Sequence, residues 1–156
     1  SGDDVAQVQR SLASMQLRYQ HQSQSCLTLL DWLKQQPEFV QVLHPADTDN
    51  AGHKNWKEIC KQGHSAGLVS VIFDNNYKLQ DIRNFCDSLK LFKLGFSWGG
   101  PVSLVMLYNL KEMRVLEHSH LKEGFLVRFC IGLEHPEDLI EDIQHALQEM
   151  KKLKNE

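Results

Sequence analysis

Two short stretches hold residues whose types could bind a substrate. Ser97-Trp98-Gly99-Gly100-Pro101 places two glycines behind a hydroxyl and an indole. Paired glycines let a backbone turn tightly and leave its N–H groups bare, a shape suited to an anion. The plainer reading is an ordinary turn with Trp98 in the core. The second stretch is Phe125-Leu126-Val127-Arg128-Phe129-Cys130-Ile131. Strand alternation puts Val127, Phe129 and Ile131 on one face and Leu126, Arg128 and Cys130 on the other. A buried, unpaired guanidinium is costly, so Arg128 needs an acidic partner, solvent, or a ligand carboxylate held in its fork.

Other reactive residue types form weaker patterns. His118-Ser119-His120 is the only close histidine pair, and alternate residues on an extended segment can share a metal. No third ligand lies at a telling distance, and the charged neighbours suggest a polar surface loop. The cysteines, Cys26, Cys60, Cys86 and Cys130, are widely spaced without any Cys-x-x-Cys. Each sits in an apolar periodic segment, which predicts small core residues in a reducing cytoplasm rather than a disulfide framework. There is no P-loop, no Gly-x-Ser-x-Gly elbow and no Rossmann glycine pattern.

The elements that must position these residues follow from periodicity. From Asp3 to about Gln36 the apolar residues Val5, Val8, Leu12, Met15, Tyr19, Cys26, Leu29, Leu30 and Leu33 fall at helical spacing. The polar stretch His21 to Ser25 interrupts that stripe and predicts a bend there. Such a helix needs something to lie against, and part of it is expected to be uncovered. After Pro37, strands are predicted over Phe39 to Leu43, Leu68 to Phe73, about Leu91 to Phe96, and Phe125 to Ile131. Helices are predicted over Lys54 to Lys61, over Tyr77 to Ser88, from about Ser103, and from Pro136 onward, where Pro at the first position and acids in the first turn mark a start. The expected fold class is α+β: a small, mainly antiparallel sheet of about four strands, with helices on one face and a long helix before it. The expected division is a long connecting helix over 1–36 and an α+β unit over 37–156.

The totals set bounds. A chain of 156 residues fits one domain or one part of a larger subunit. With 42% hydrophobic and 24% charged residues it can build a core. A formal charge of -3 offers no basic field for nucleic acid or an anionic membrane, and no apolar run approaches a membrane span.

The ordered motifs together resemble the end of the Cys/Met-metabolism pyridoxal-phosphate enzymes. Phe96-Ser97-Trp98-Gly99-Gly100, then Ser103-Leu104, then Arg128-Phe129-Cys130-Ile131-Gly132-Leu133-Glu134 carry the likeness, and Glu134 to Ile140 extends it into the last helix. Upstream, Arg10-x-Leu12 and Arg18-x-x-His21 resemble the family's helix leaving the cofactor domain, and Gly52-His53 with Trp56-Lys57 fits its next loop. Trp98 after Ser97 resembles the bacterial cystathionine β-lyases.

That resemblance implies roles. Arg128 would grip the substrate's α-carboxylate, Ser97 and Trp98 would help hold it, and Phe96 would lie beside the substrate. The implied reaction is β-elimination of cystathionine to homocysteine, pyruvate and ammonia, with pyridoxal 5'-phosphate as the electron sink. Phe96 stands where the lyases often carry Tyr, and Ser11, Ala13 and Ser14 depart from the family's Arg-Gly-Leu-Arg-Thr-Leu run, which bears on substrate choice. No lysine here has the Ser-x-Thr-Lys setting of the Schiff-base lysine, so the catalytic lysine is expected in a preceding cofactor domain. The isolated chain is then expected to neither bind the cofactor covalently nor turn over cystathionine. Implied partners are an amino-acid thioether substrate, that N-terminal domain, and the other subunits of a cytoplasmic homotetramer. Two alternatives remain: a freestanding domain acting by association, and part of a γ-acting relative.

Overall fold

A computed structural model describes residues 1–60, 64–113 and 120–154. Among the described residues five strands form one sheet in the order β1-β2-β5-β4-β3. They are β1 (Phe39–Leu43), β2 (Leu68–Phe73), β3 (Lys93–Leu94), β4 (Leu104–Asn109) and β5 (Phe125–Cys130). All neighbours are antiparallel except β3 and β4, which run parallel. The sheet thus has the expected class, with one more strand than expected. Among the described residues no helix is long and apolar enough to cross a membrane.

Alternation divides the sheet sharply. Val69, Val71 and Phe73 of β2, Val105 of β4, and Val127 and Phe129 of β5 enter one core. That face is covered by α2 (Met15–Leu33), α4 (Leu79–Ser88) and α6 (Pro136–Lys154), through Leu29 and Leu33, Ile82 and Phe85, and Leu139, Ile143 and Met150. Phe129 packs edge-on to Phe92 at 5.1 Å and to Phe85 at 6.3 Å. In β1 the register slips between Phe39 and Gln41. The extra residue lets both Phe39 and Val42 reach the core, which strict alternation would forbid. Asp142 of α6 is buried and accepts the N–H groups of Lys90, Leu91 and Phe92, so the chain leaving α4 is tied to the last helix.

Three local expectations are corrected. The opening helix is broken into α1 (Gly2–Leu12) and α2, and the break lies at Ala13–Ser14, not at His21 to Ser25. Arg18 bridges the break, bonding the Ser11 carbonyl at 3.2 Å and the Ser14 hydroxyl. The polar stretch stays helical because its side chains find partners: Gln22 bonds the Gly100 carbonyl and Ser23 bonds Ser65. Val5, Val8, Leu12 and Met15 are all exposed, so the first half of the stripe is indeed uncovered. No helix begins near Ser103; β4 runs there instead and passes into the short α5 (Leu110–Met113), and the third strand shrinks to Lys93–Leu94. A continuous apolar run such as Leu104 to Leu107 does not separate strand from helix by period. Finally, Cys60 is exposed at the end of α3 (His53–Ile59), while Cys26, Cys86 and Cys130 are buried as expected; all four are free thiols.

Candidate carboxylate site on the open face of the sheet

The other sheet face carries Leu126, Arg128 and Cys130. Register places Arg128 between Ser70 on β2 and Met106 on β4, with Tyr108 opposite Leu126. The chain after β3 closes this side in part. That segment is Gly95–Pro101, running from the parallel β3–β4 contact into the start of β4.

Arg128 reaches the first half of this turn. Its Nη2 donates to the carbonyls of Gly95 (3.3 Å), Phe96 (2.9 Å) and Ser97 (3.4 Å). Its Nε is buried with no partner. Among the described residues no carboxylate forms an ion pair with it. The guanidinium carbon lies 5.8 Å from the centroids of both the Trp98 and Tyr108 rings. Each such contact contributes about 0.5–1 kcal/mol where water reaches it. Tyr108 also meets Phe96 edge-on at 6.5 Å. The cation is thus framed by aromatic faces and backbone oxygens, which keep its charge rather than cancel it.

The second half of the turn is fastened elsewhere. Gly99 has φ +75°, a left-handed conformation that a side chain would strain. Its N–H points back to Cys130 Sγ at 3.3 Å. The carbonyls of Gly100 and Pro101 accept from Gln22 Nε2 (2.7 Å) and Leu133 N (2.9 Å). Beyond them Glu134 clasps Ser103, taking its N–H at 2.9 Å and its hydroxyl at 2.7 Å. The same hydroxyl accepts the Gly132 N–H at 2.8 Å. A Cβ on Gly132 would sit 2.4 Å from the Glu134 carboxylate and 2.5 Å from the Pro101 carbonyl. This explains why glycine and glutamate stand at fixed distances after Arg128: they lock the end of β5 to the start of β4. Burial pushes the Cys130 thiol above its ordinary range against the opposing pull of the Gly99 N–H and Arg128, so it stays a neutral thiol.

The structure brings Phe96, Ser97, Trp98 and Arg128 together. It also corrects how they meet. The turn shows Arg128 its carbonyls, and of its N–H groups that of Gly99 is engaged by Cys130 Sγ. Trp98 is 65% exposed and Phe96 69%, so Trp98 is not a core residue. None of the three partners anticipated for Arg128 included backbone oxygens. Tyr108, Cys130 and Gln22 were not anticipated as parts of the site; Cys130 alone had a signal, since alternation puts it on the face of Arg128. His118 and Ser119 lie outside the described residues. His120 is exposed, and its carbonyl accepts from Gln41. Among the described residues no group of metal-ligating side chains gathers.

A family model for Cys/Met metabolism PLP-dependent enzymes matches residues 1–148. The chain is 35% identical over 147 residues to a cystathionine beta-lyase of Bordetella avium, aligning 94% of itself with 36% of that protein. It is 32% identical over 139 residues to an L-alanine/L-glutamate racemase of Wolbachia pipientis wMel, aligning 88% of itself with 34% of that protein. The solved structure of metB from Corynebacterium glutamicum superposes with a TM-score of 0.71 at 30% identity, over 89% of this chain and 35% of that one. The chain therefore spans about a third of the length of the relatives it matches, and it aligns with them nearly end to end. The family's cofactor is pyridoxal phosphate; no described lysine is a hydrogen-bond partner of Arg128 or of residues 95–101, and a guanidinium with an unmet Nε has the chemistry to hold an anion rather than an aldehyde. By this family match and these relatives, with the shared fold beneath them, the chain belongs to the Cys/Met metabolism PLP-dependent enzymes and corresponds to their C-terminal region.

Proposed function

We propose that the chain supplies the substrate α-carboxylate site of a carbon–sulfur β-lyase acting on cystathionine. The observation that carries this reading is Arg128: a half-buried guanidinium steadied by three carbonyls on Nη2, with no acidic partner among the described residues and an unmet donor at Nε. A buried donor left without a partner costs about 1–3 kcal/mol, and a ligand carboxylate brought into the fork would offset that cost. Trp98 and Tyr108 flank the guanidinium and Ser97 lies beside it, so a carboxylate approaching Arg128 meets a defined, largely aromatic rim.

Pyridoxal phosphate, when bound, supplies the electron sink for charge at the α-carbon. This chain's part is positional. Holding the carboxylate fixes which bond at the α-carbon is aligned for reaction, so Arg128 governs orientation as well as affinity. Similarity to the Bordetella avium cystathionine beta-lyase and the Trp98 after Ser97 favour β-elimination. The catalytic base and the cofactor's own contacts are assigned to the remaining two-thirds of the full-length protein. The test is to give that protein cystathionine and identify the keto acid released. Pyruvate is expected; 2-oxobutyrate would reassign the chain to γ-elimination, and no keto acid would reject the lyase reading.

A further inference from the structure

We propose that Gln22 and Cys130 are positioning residues for carboxylate recognition: together they hold the Gly99–Gly100 pair and so set where residues 95–98 meet Arg128. This rests on the carboxylate reading of Arg128 given above.

The turn is anchored unevenly. Its first half, with Phe96 and Trp98 largely exposed, is held to the sheet by the Nη2 of Arg128, the same guanidinium whose unmet Nε is left to receive a ligand. The place of those carbonyls and of the Trp98 ring therefore depends on the next fixed points along the chain. Those are Gly99, whose N–H bonds Cys130 Sγ, and Gly100, whose carbonyl accepts from Gln22 Nε2. Both side chains are buried, Cys130 to 1% and Gln22 to 7% exposure. A buried amide is unfavourable unless bonded, so Gln22 is a built contact rather than a passing one. Cys130 lies two residues from Arg128 on the same strand face, so one row of β5 grips both halves of the turn. Gln22 reaches the turn from α2, the helix that also packs on the covered side of the sheet. Gly99 holds a left-handed conformation, and in it the N–H donates to Cys130 Sγ.

The experiment measures selectivity in the full-length, cofactor-loaded protein by titration calorimetry. The probes are 2-aminoisobutyrate, which has no α-proton to lose, and its α-carboxamide. The ratio of their affinities reports carboxylate recognition separately from general binding. Gln22→Leu, Gln22→Glu and Cys130→Val should each narrow the ratio by about fivefold, the worth of one typical hydrogen bond. Cys130→Ser, which keeps an acceptor for the Gly99 N–H, should restore most of it. A merely structural role predicts a lower Tm with the ratio unchanged, or equal weakening of both probes, and either overturns the proposal. If variants at one residue fail to fold, those at the other decide. Arg128→Lys is the control: a collapsed ratio there with unchanged ratios at Gln22 and Cys130 rejects the positioning role alone. An unchanged ratio in Arg128→Lys rejects the carboxylate reading and this proposal with it.

Discussion

The two faces of β5 are one residue apart and have opposite jobs. Val127 and Phe129 are wholly buried among helices and aromatic rings, whereas Arg128 between them is half-buried and holds an open, polar turn. The dry face is held by area and close packing, which tolerate no charge. The open face is held by a few directed bonds to backbone oxygens, which leave a charge in place. A rigid strand makes this possible, because the core that fixes Phe129 also fixes the root of Arg128.

Substitution should separate the two jobs, and stability effects should fall in order from the core outward. Phe129→Ala removes a fully buried ring packed against Phe85 and Phe92. A loss of about 3–5 kcal/mol is expected in denaturant unfolding; a loss below about 1 kcal/mol would mean the covered face is not the core. Asp142→Ala strips the acceptor from three backbone N–H groups at the rim of that core. Its expected cost is about 1–3 kcal/mol, since the donors at Lys90 and Leu91 can partly turn to water. Equal destabilisation by the two variants would blur the distinction between packed area and directed bonds.

Much of the dry face was legible in the sequence, and much of the open face was not. Alternation over Phe125 to Ile131 and helical spacing from Leu139 to Met150 name core residues directly, because burial selects side-chain type. Leu104 to Leu107 misled, since an unbroken apolar run fits a buried strand and a helix equally. Gln22 and Ser23 misled in the other direction: polar residues suggested a bend, but hydrogen bonds across the fold let them be buried within a helix. The partners of Arg128 are carbonyls at Gly95, Phe96 and Ser97, and a backbone acceptor leaves no mark on residue type. Tyr108 entered only through strand register, which depends on pairing that no single segment contains. Gly132 and Glu134 were visible as a motif, but their reason, the clasp on Ser103, joins segments far apart in the chain.

The smallest stability effect belongs with the largest effect on substrate. In Arg128→Lys the charge remains while the planar fork and its spread of donors are lost. Unfolding free energy is expected to change by less than about 1 kcal/mol, because the core is untouched. With cystathionine and the full-length protein, kcat/KM is expected to fall at least about tenfold, equivalent to about 1.4 kcal/mol of transition-state stabilisation. Unchanged kcat/KM in a stably folded Arg128→Lys protein would contradict the account and leave Arg128 a structural residue of the turn.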